Sequence, residues 1–367
     1  MKILITGANG FIAKNLIVHL KREEKFKLYT FTKDESYSLL EAYLKEVDFI
    51  FHLAGVNRPQ NVQEFYEGNS NLTKFIVKIL QKSNKKTPIV FSSSSQAVLD
   101  NDYAKSKKEA EEIFLAYAKE SGAKVSIYRL PNVFGKWSRP NYNSVIATWC
   151  YNIARDLPIQ INDASVQLQF VYIDDVISSF LERFSCDADD SYVEVKPLYK
   201  KTLGEIKELL YAFKANRETL LVPEVGSGFQ RALYATYLSF LPKENFSYEL
   251  SGHKDSRGTF YEIIKTQNSG QFSLSTTAPG IIRGGHYHHT KNEKFLVVKG
   301  KAVIEFRHII TNEKIAYEVS DEKMQIVEMI PGYTHNIKNI GDEEMVLFLW
   351  ANENFDPQNP DTYYEEV

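Results

Sequence analysis

Lys2-Ile3-Leu4-Ile5-Thr6-Gly7-Ala8-Asn9-Gly10-Phe11-Ile12-Ala13 opens the chain with an apolar, β-branched run that breaks at a glycine turn. Beyond it Phe11, Ile12, Leu16, Ile17 and Leu20 recur at helical spacing, so the stretch predicts strand, tight turn and helix in that order. Gly7 permits the turn, Gly10 lets backbone approach a ligand, and Ala13 is small enough for the helix to pack on a sheet. Unpaired N–H groups at the start of the helix, with the positive end of its dipole, favour a phosphate there. A glycine turn of this kind is weakly specific alone. A second small-residue turn, Leu53-Ala54-Gly55, follows the apolar run 48–53 and would lie beside the first. Together they mark a dinucleotide-binding unit, the ligand resting against Gly7, Gly10, Phe11, Ile12, Leu53, Ala54 and Gly55.

Working outward, further short apolar runs at 27–31, 88–92 and 124–129 alternate with helical patterns. That alternation predicts βαβ units on a doubly wound, Rossmann-type parallel sheet. From 140 to 240 the pattern is mainly helical, at 145–154, 176–184 and 206–213. From Phe260 onward strand-like runs recur at short intervals, at 271–275, 295–298, 302–308, 314–319, 325–329 and 345–350, separated by Gly, Asp and Asn. This predicts an all-β sandwich or barrel. The polar stretch beginning at Leu241-Pro242 marks the join, placing the domains at 1–243 and 244–367.

A chain of 367 residues with 43% hydrophobic content has apolar mass for two cores. Net charge −3 excludes a broad basic surface for nucleic acid or anionic lipid. No run approaches 18 apolar residues and Met1 leads straight into a strand, so neither a membrane span nor a signal peptide is expected. The two cysteines, Cys150 and Cys186, fit a reducing cytoplasm without a disulfide.

Tyr103 and Lys107, four residues apart in a helical stretch, share one face. An ammonium beside a phenol lowers its pKa and suits it to proton exchange with a carbinol oxygen. Ser92-Ser93-Ser94-Ser95 ends a strand and can offer a hydroxyl to the same oxygen. A Tyr/Lys pair alone is ordinary surface helix; its place after a nucleotide-binding turn and a serine cluster distinguishes it. At the tip of the second strand stands Phe31-Thr32-Lys33 rather than a carboxylate. Lys33 would attract a ribose 2′-phosphate, which selects NADPH over NADH.

Near the other end, His286-Tyr287-His288 puts two imidazoles on one strand face, Glu293 follows, and Pro331-Gly332 precedes His335. These match the two motifs of cupin barrels, with His286, His288, Glu293 and His335 as ligands of a divalent metal, zinc among the candidates.

The glycine turns, the serine run, Tyr103-x-x-x-Lys107, Arg129-Leu-Pro-Asn132-Val-Phe-Gly135 and Phe170-Val-Tyr-Ile-Asp174-Asp175-Val resemble an extended short-chain dehydrogenase/reductase over about residues 1–240. The resemblance implies a sugar-nucleotide substrate, Tyr103 as acid, Lys107 as its tuner and Ser94 as the carbonyl donor. It also turns Asn132, Arg139, Asn141 and Asn143 toward the substrate phosphates. Two departures stand out: Ala13 replaces the last fingerprint glycine, and about 16 residues between the second run and Asp48 leave no room for one family strand and its adenine-contacting acid.

Asp255-Ser-Arg257-Gly258-Thr-Phe260-Tyr-Glu262 and Ile282-Arg283-Gly284-Gly285-His286 resemble the deoxysugar epimerases of the cupin group, which implies substrate contacts from Arg257 and Arg283. In those enzymes the histidine after Arg-Gly is a base and no metal is present. His286 therefore has two competing roles, ligand or base.

The whole chain resembles bifunctional capsular-polysaccharide enzymes of the CapF type, a reductase fused to a cupin. That implies C3 epimerisation of a UDP-linked 2-acetamido-4-keto-2,6-dideoxyhexose, then NADPH reduction at C4 to UDP-2-acetamido-2,6-dideoxy-L-talose, in a cytoplasmic homodimer. Two rivals remain: a single-activity 4-ketoreductase whose cupin only binds or dimerises, and a non-catalytic nucleotide sensor.

If Lys33 reads the 2′-phosphate, Lys33→Asp should weaken NADPH more than NADH by about 1–3 kcal/mol, the scale of a charge-assisted hydrogen bond. Titration of both cofactors checks this; equal losses would place the 2′-phosphate elsewhere.

Overall fold

Strand β1 (Lys2–Thr6) buries four successive side chains, Ile3 to Thr6, which only a central strand covered on both faces can do. It pairs in parallel with β2 (Lys27–Phe31) and β3 (Phe49–His52), and β4 (Ile89–Ser94) and β5 (Val125–Leu130) extend the sheet in the order β2-β1-β3-β4-β5. Period-two alternation sends Leu4, Ile50, Ile89 and Phe91 to one core, under the helices Tyr37–Glu46, Leu72–Lys82 and Asp102–Ser121. Ile3, Ile5, Phe51 and Val90 go to the other, under Phe11–Leu20 and Ile173–Glu182. The doubly wound parallel sheet is therefore present. Among the described residues no strand lies outside β2, in keeping with the short gap before Asp48.

This computed structural model describes residues 1–185 and 191–367. Cys186 lies outside them; Cys150 is a free, buried thiol that burial pushes well above the usual thiol range. No helix among the described residues is long and apolar enough to cross a membrane.

The middle of the chain is less helical than expected. Asn132–Phe134, Gln167–Tyr172 and Tyr199–Thr202 form a small three-stranded sheet, parallel then antiparallel. Its strands are short and mix Gln and Lys with apolar residues, so local alternation alone does not reveal them.

The chain divides into two compact units, Met1–Leu210 with Arg231–Leu241, and Tyr211–Gln230 with Pro242–Val367. Segment 211–230, placed in the first domain by the sequence reading, thus groups with the second. The cause is a non-local ladder: Leu221-Val222 runs parallel to Lys265-Thr266.

In the second unit two sheets, antiparallel apart from the Leu221-Val222 ladder, share one apolar core, with Phe295, Val297, Met345 and Leu347 from the first and Ala302, Ile304, Phe306 and Ile337 from the second. One sheet runs Gly252–Asp255, Gly258–Thr266, Gln271–Thr277, Met345–Ala351, Glu293–Lys299, Ile326–Met329. The other runs Lys314–Ser320, Lys301–His308, Tyr333–Asn339, Ile282–Tyr287, Tyr363–Tyr364. No ladder joins them among the described residues, so the expected barrel is not closed by backbone pairing.

Candidate active sites

Gly7 sits at φ +69°, and a Cβ there would lie 2.7 Å from the backbone of Ala54. The two small-residue turns therefore touch, and only glycine allows it. The Gly10 N–H donates to the Gly7 carbonyl at 2.8 Å. Gly10 caps the Phe11–Leu20 helix without a side-chain hydrogen bond, and no acidic residue stands in its first turn. The leading N–H groups stay available to an anion. Phe11, Ile12 and Leu53 pack partly buried on the adjoining core. At the β2 tip Lys33 is exposed, while the Glu35 carboxylate accepts the Thr32 N–H at 2.6 Å. That carboxylate was missed because it stands four residues beyond the strand end and folds back.

The helix Asp102–Ser121 starts where the Asn101 side chain accepts the Ala104 N–H at 2.9 Å. One turn apart on it, Tyr103 and Lys107 come together with the serine run. Lys107 is buried and donates to the Ser92 carbonyl at 3.0 Å; burial pushes its amine down to about 8. A Cβ on Gly55 would lie 2.9 Å from that nitrogen and 3.0 Å from Asn69 Oδ1, so a side chain there would displace the Lys107 ammonium. Tyr103 departs from expectation. Burial raises its pKa and a hydrogen bond with Ser94 pulls the other way, so the expected lowering by Lys107 is not found. Ser93 instead donates to the buried Glu111, leaving Ser94 as the hydroxyl that meets Tyr103.

The sequence reading missed the buried polar groups behind this centre. His52 stands between the Thr6 hydroxyl, 2.8 Å from Nδ1, and the Thr73 hydroxyl, 3.2 Å from Nε2. Burial, then Lys107, pushes it down to about 3, so it stays neutral. Asn69, in a π-helical turn Tyr66–Asn71, donates to Ser106 Oγ at 2.9 Å and to the Val56 carbonyl, and accepts the Val56 N–H. Such turns are frequent at functional sites, but nothing in local periodicity announces one.

Among the residues expected to face substrate, Asn132 donates to the Gln169 carbonyl, Asn141 takes a left-handed backbone (φ +53°) and Asn143 is exposed. The Arg139 guanidinium lies 5.0 Å from the Tyr142 ring, and Arg58, missed from sequence, lies 5.5 Å from the same ring. Tyr142 donates to Asn57 at 2.7 Å, drawing the 57–58 loop and the 139–142 loop together.

In the second unit the ligand atoms of His286, His288, Glu293 and His335 all lie within 4.8 Å of one another. Adjacent glycines at φ +99° and +75°, Gly284 and Gly285, make a bulge that brings His286 opposite His335 in the ladder. A Cβ on Gly284 would stand 2.8 Å from the His335 carbonyl. Glu293 Oε2 lies 3.5 Å from His288 Nε2 and 3.6 Å from His335 Nε2. Burial would raise the Glu293 carboxyl, but the pull of His288 and His335 outweighs it and holds it well below the usual range. Burial, then His335 and His288, pushes His286 down to about 4. His288 Nε2 and both His335 nitrogens are buried without a hydrogen-bond partner. Orphaned lone pairs around one carboxylate are what a divalent ion satisfies, so this set fits a metal. Nearby, Arg257 pairs with Asp255 at 2.6 Å, and Arg283 donates to the Thr276 carbonyl while its buried Nε has no partner.

Comparison with known proteins gives both units relatives. The pattern described as the NAD dependent epimerase/dehydratase family matches residues 3–184, and that of the polysaccharide biosynthesis C-terminal domain matches 253–363. UDP-2-acetamido-2,6-beta-L-arabino-hexul-4-ose reductase of Pseudomonas aeruginosa is 50% identical over 364 residues, covering 99% of this chain and 98% of that protein. The crystal structure of the capsular polysaccharide assembling protein CapF from Staphylococcus aureus superposes with a TM-score of 0.93 at 47% identity, each chain covered completely. The UDP-glucuronic acid 4-epimerase of Bacillus cereus, in complex with NAD, has a TM-score of 0.56 at 17% identity, over 65% of this chain and 98% of that one. That last likeness is one of fold alone.

Lys107 should cost the fold stability at neutral pH. Its folded value of about 8 lies below the ordinary 10.5. Between those values the unfolded chain binds the extra proton, so stability rises with pH across that window and is lower below it. Lys107→Met should be more stable than the native chain at pH 7 by about 1–3 kcal/mol, the gap closing toward pH 10. Urea unfolding across that range checks it; equal stability at pH 7 would refute the penalty.

Proposed function

This chain belongs to the CapF-like family of capsular polysaccharide biosynthesis proteins, which join an epimerase/dehydratase domain to a polysaccharide biosynthesis C-terminal domain, and on that premise we propose two successive steps on one UDP-linked sugar. The second unit, read as a cupin, epimerises C3 of UDP-2-acetamido-4-keto-2,6-dideoxyhexose. The first reduces the C4 ketone to UDP-2-acetamido-2,6-dideoxy-L-talose, a precursor of UDP-N-acetyl-L-fucosamine for capsule. The ketone that acidifies the C3 proton is the one later reduced, so reduction traps the epimer.

The observation that carries the reductase step is the meeting of Tyr103, Ser94 and Lys107 beside the Gly7 and Gly55 turns. When bound, NADPH supplies a hydride to C4. Tyr103, kept protonated by burial, gives its proton to the C4 oxygen, and Ser94 donates a hydrogen bond to the same oxygen. Lys107, fixed on the Ser92 carbonyl, stands ready to settle charge as the phenol ionises. The open start of the Phe11–Leu20 helix holds the cofactor pyrophosphate and Lys33 its 2′-phosphate. Arg139, Asn132, Asn141 and Asn143, joined by Arg58, hold the substrate diphosphate.

For the epimerase step, a zinc-like ion would be held by His288, Glu293 and His335, with His286 as fourth ligand or free, and would offer positive charge to the C4 oxygen. Neutral His286 is able to accept the C3 proton. Arg283, on the strand that carries His286, and Arg257, in the turn after Asp255, both face the Asp255 carboxylate and suit the anionic part of the substrate.

Incubation with the UDP-4-keto sugar in D₂O, with and without NADPH, separates the steps. Tyr103→Phe should lose NADPH oxidation by at least about 10²-fold and keep C3 deuterium exchange. Near-native oxidation would reject Tyr103 as the acid.

His288→Asn should show the reverse: less bound metal by elemental analysis, no C3 exchange, and intact reduction of an already epimerised substrate. Loss of metal with C3 exchange at full rate would make the ion structural and leave His286 as the unaided base.

A further inference from the structure

The end of the chain is strapped across the histidine–carboxylate cluster. The Asp361 carboxylate accepts the backbone N–H groups of His289 at 3.1 Å, Thr290 at 2.9 Å and Lys291 at 2.7 Å, and the Thr290 hydroxyl at 3.0 Å. The main-chain oxygen of the same residue meets His288 Nδ1 at 2.6 Å. Buried Lys291 reaches back to the Pro360 carbonyl at 2.9 Å and Thr362 Oγ1 at 2.8 Å. Tyr363 and Tyr364 then pair antiparallel with Tyr287 and His286, and the Glu365 N–H donates to the Gly285 carbonyl at 3.0 Å. Arg307 holds the Glu365 carboxylate at 2.7 Å.

A carbonyl oxygen can only accept, so the bond to Asp361 requires the His288 proton to sit on Nδ1. In the neutral ring Nε2 then carries the bare lone pair, and Nε2 is the buried, unpartnered atom 3.5 Å from Glu293. The strap thereby holds the ring in ligand form and in a fixed orientation. Asp361 can do so only while its backbone stays at φ +39°, a left-handed conformation that its three N–H contacts hold in place. Those contacts span 289–291, the loop joining His288 to Glu293, so one side chain orders the approach to two of the four cluster residues.

We infer that residues 360–366 form a positioning element for the metal centre, acting through Asp361, and that ion uptake and docking of this strap are coupled. The inference rests on the metal reading of the cluster. Outer partners of this kind typically change metal affinity by about 10- to 100-fold. Coupling is reciprocal, so an ion bound by an oriented His288 must in turn steady the strap.

The test uses the full chain stripped by a chelator and titrated with Zn²⁺ alone against a chromophoric competitor. The native chain should take up one ion with tight affinity and His288→Asn should not. Absence of uptake by the native chain, or equal uptake by His288→Asn, would sink the metal reading and this inference with it. With that reading standing, Asp361→Ala should bind Zn²⁺ about 10- to 100-fold more weakly. Asp361→Asn, which keeps an acceptor oxygen and tolerates a left-handed backbone, should recover most of the loss. Native affinity in Asp361→Ala would overturn the inference alone. Amide hydrogen exchange supplies a second reading that needs no variant: Zn²⁺ should slow exchange at Glu365 and at 289–291 in the native chain. Exchange at Glu365 indifferent to Zn²⁺ would also overturn it, even if Asp361→Ala fails to fold.

Discussion

The buried carboxylate of Glu111 is the constraint on which the first unit's chemistry depends. It receives Arg129 through Nε at 3.0 Å and Nη2 at 2.6 Å, the Ser93 hydroxyl, and the Tyr192 hydroxyl at 3.1 Å. Arg129 lies on β5 and Ser93 on β4, so one side chain pins the helix Asp102–Ser121 to two strands. Counting back by helical turns from Glu111 gives Lys107 and Tyr103, and one residue on from Ser93 is Ser94. The pairing at Glu111 thus sets the register in which phenol, amine and hydroxyl meet. Charges taken out of water demand partners in good geometry, and a network satisfied this completely permits one placement of the helix.

Strain and polarity are stored where that placement puts function. Lys107 sits buried with its charge disfavoured, His52 is kept neutral by burial between two threonines, and Gly7 leaves no room for a side chain. Each belongs to the class of local costs that a scaffold carries for its site. The second unit repeats the pattern: a double-glycine bulge turns His286 toward His335, and buried imidazole nitrogens are left without partners in an otherwise apolar core. Such a cluster is costly empty and favourable once a cation draws its ligands together.

The reach of the sequence follows the reach of its interactions. Apolar alternation within five or six residues is a local property, so β1 to β5, the helix Phe11–Leu20 and most strands beyond Gln271 were legible, as was the absence, among the described residues, of a strand beyond β2. The spacing His286-x-His288 and Tyr103-x-x-x-Lys107 is local too, and the structure brings both groups together. Local pattern failed where a strand is short and polar, as at Gln167–Tyr172, or where pairing reaches across the chain, as between Leu221-Val222 and Lys265-Thr266.

By itself, then, the sequence determined most of the elements, which residue types could do chemistry, and that the two candidate sites lie in different parts of the chain. Only the tertiary structure decided that Ser94 rather than Ser93 meets Tyr103, because that choice is made by Glu111 drawing Ser93 away. It alone decided that burial, not Lys107, governs the phenol of Tyr103. It alone brought Asp361 onto His288 across 73 positions of sequence. Contacts so distant along the chain leave no periodic trace, since each partner's neighbours are chosen for other contacts; they exist only once the sheets have closed around them.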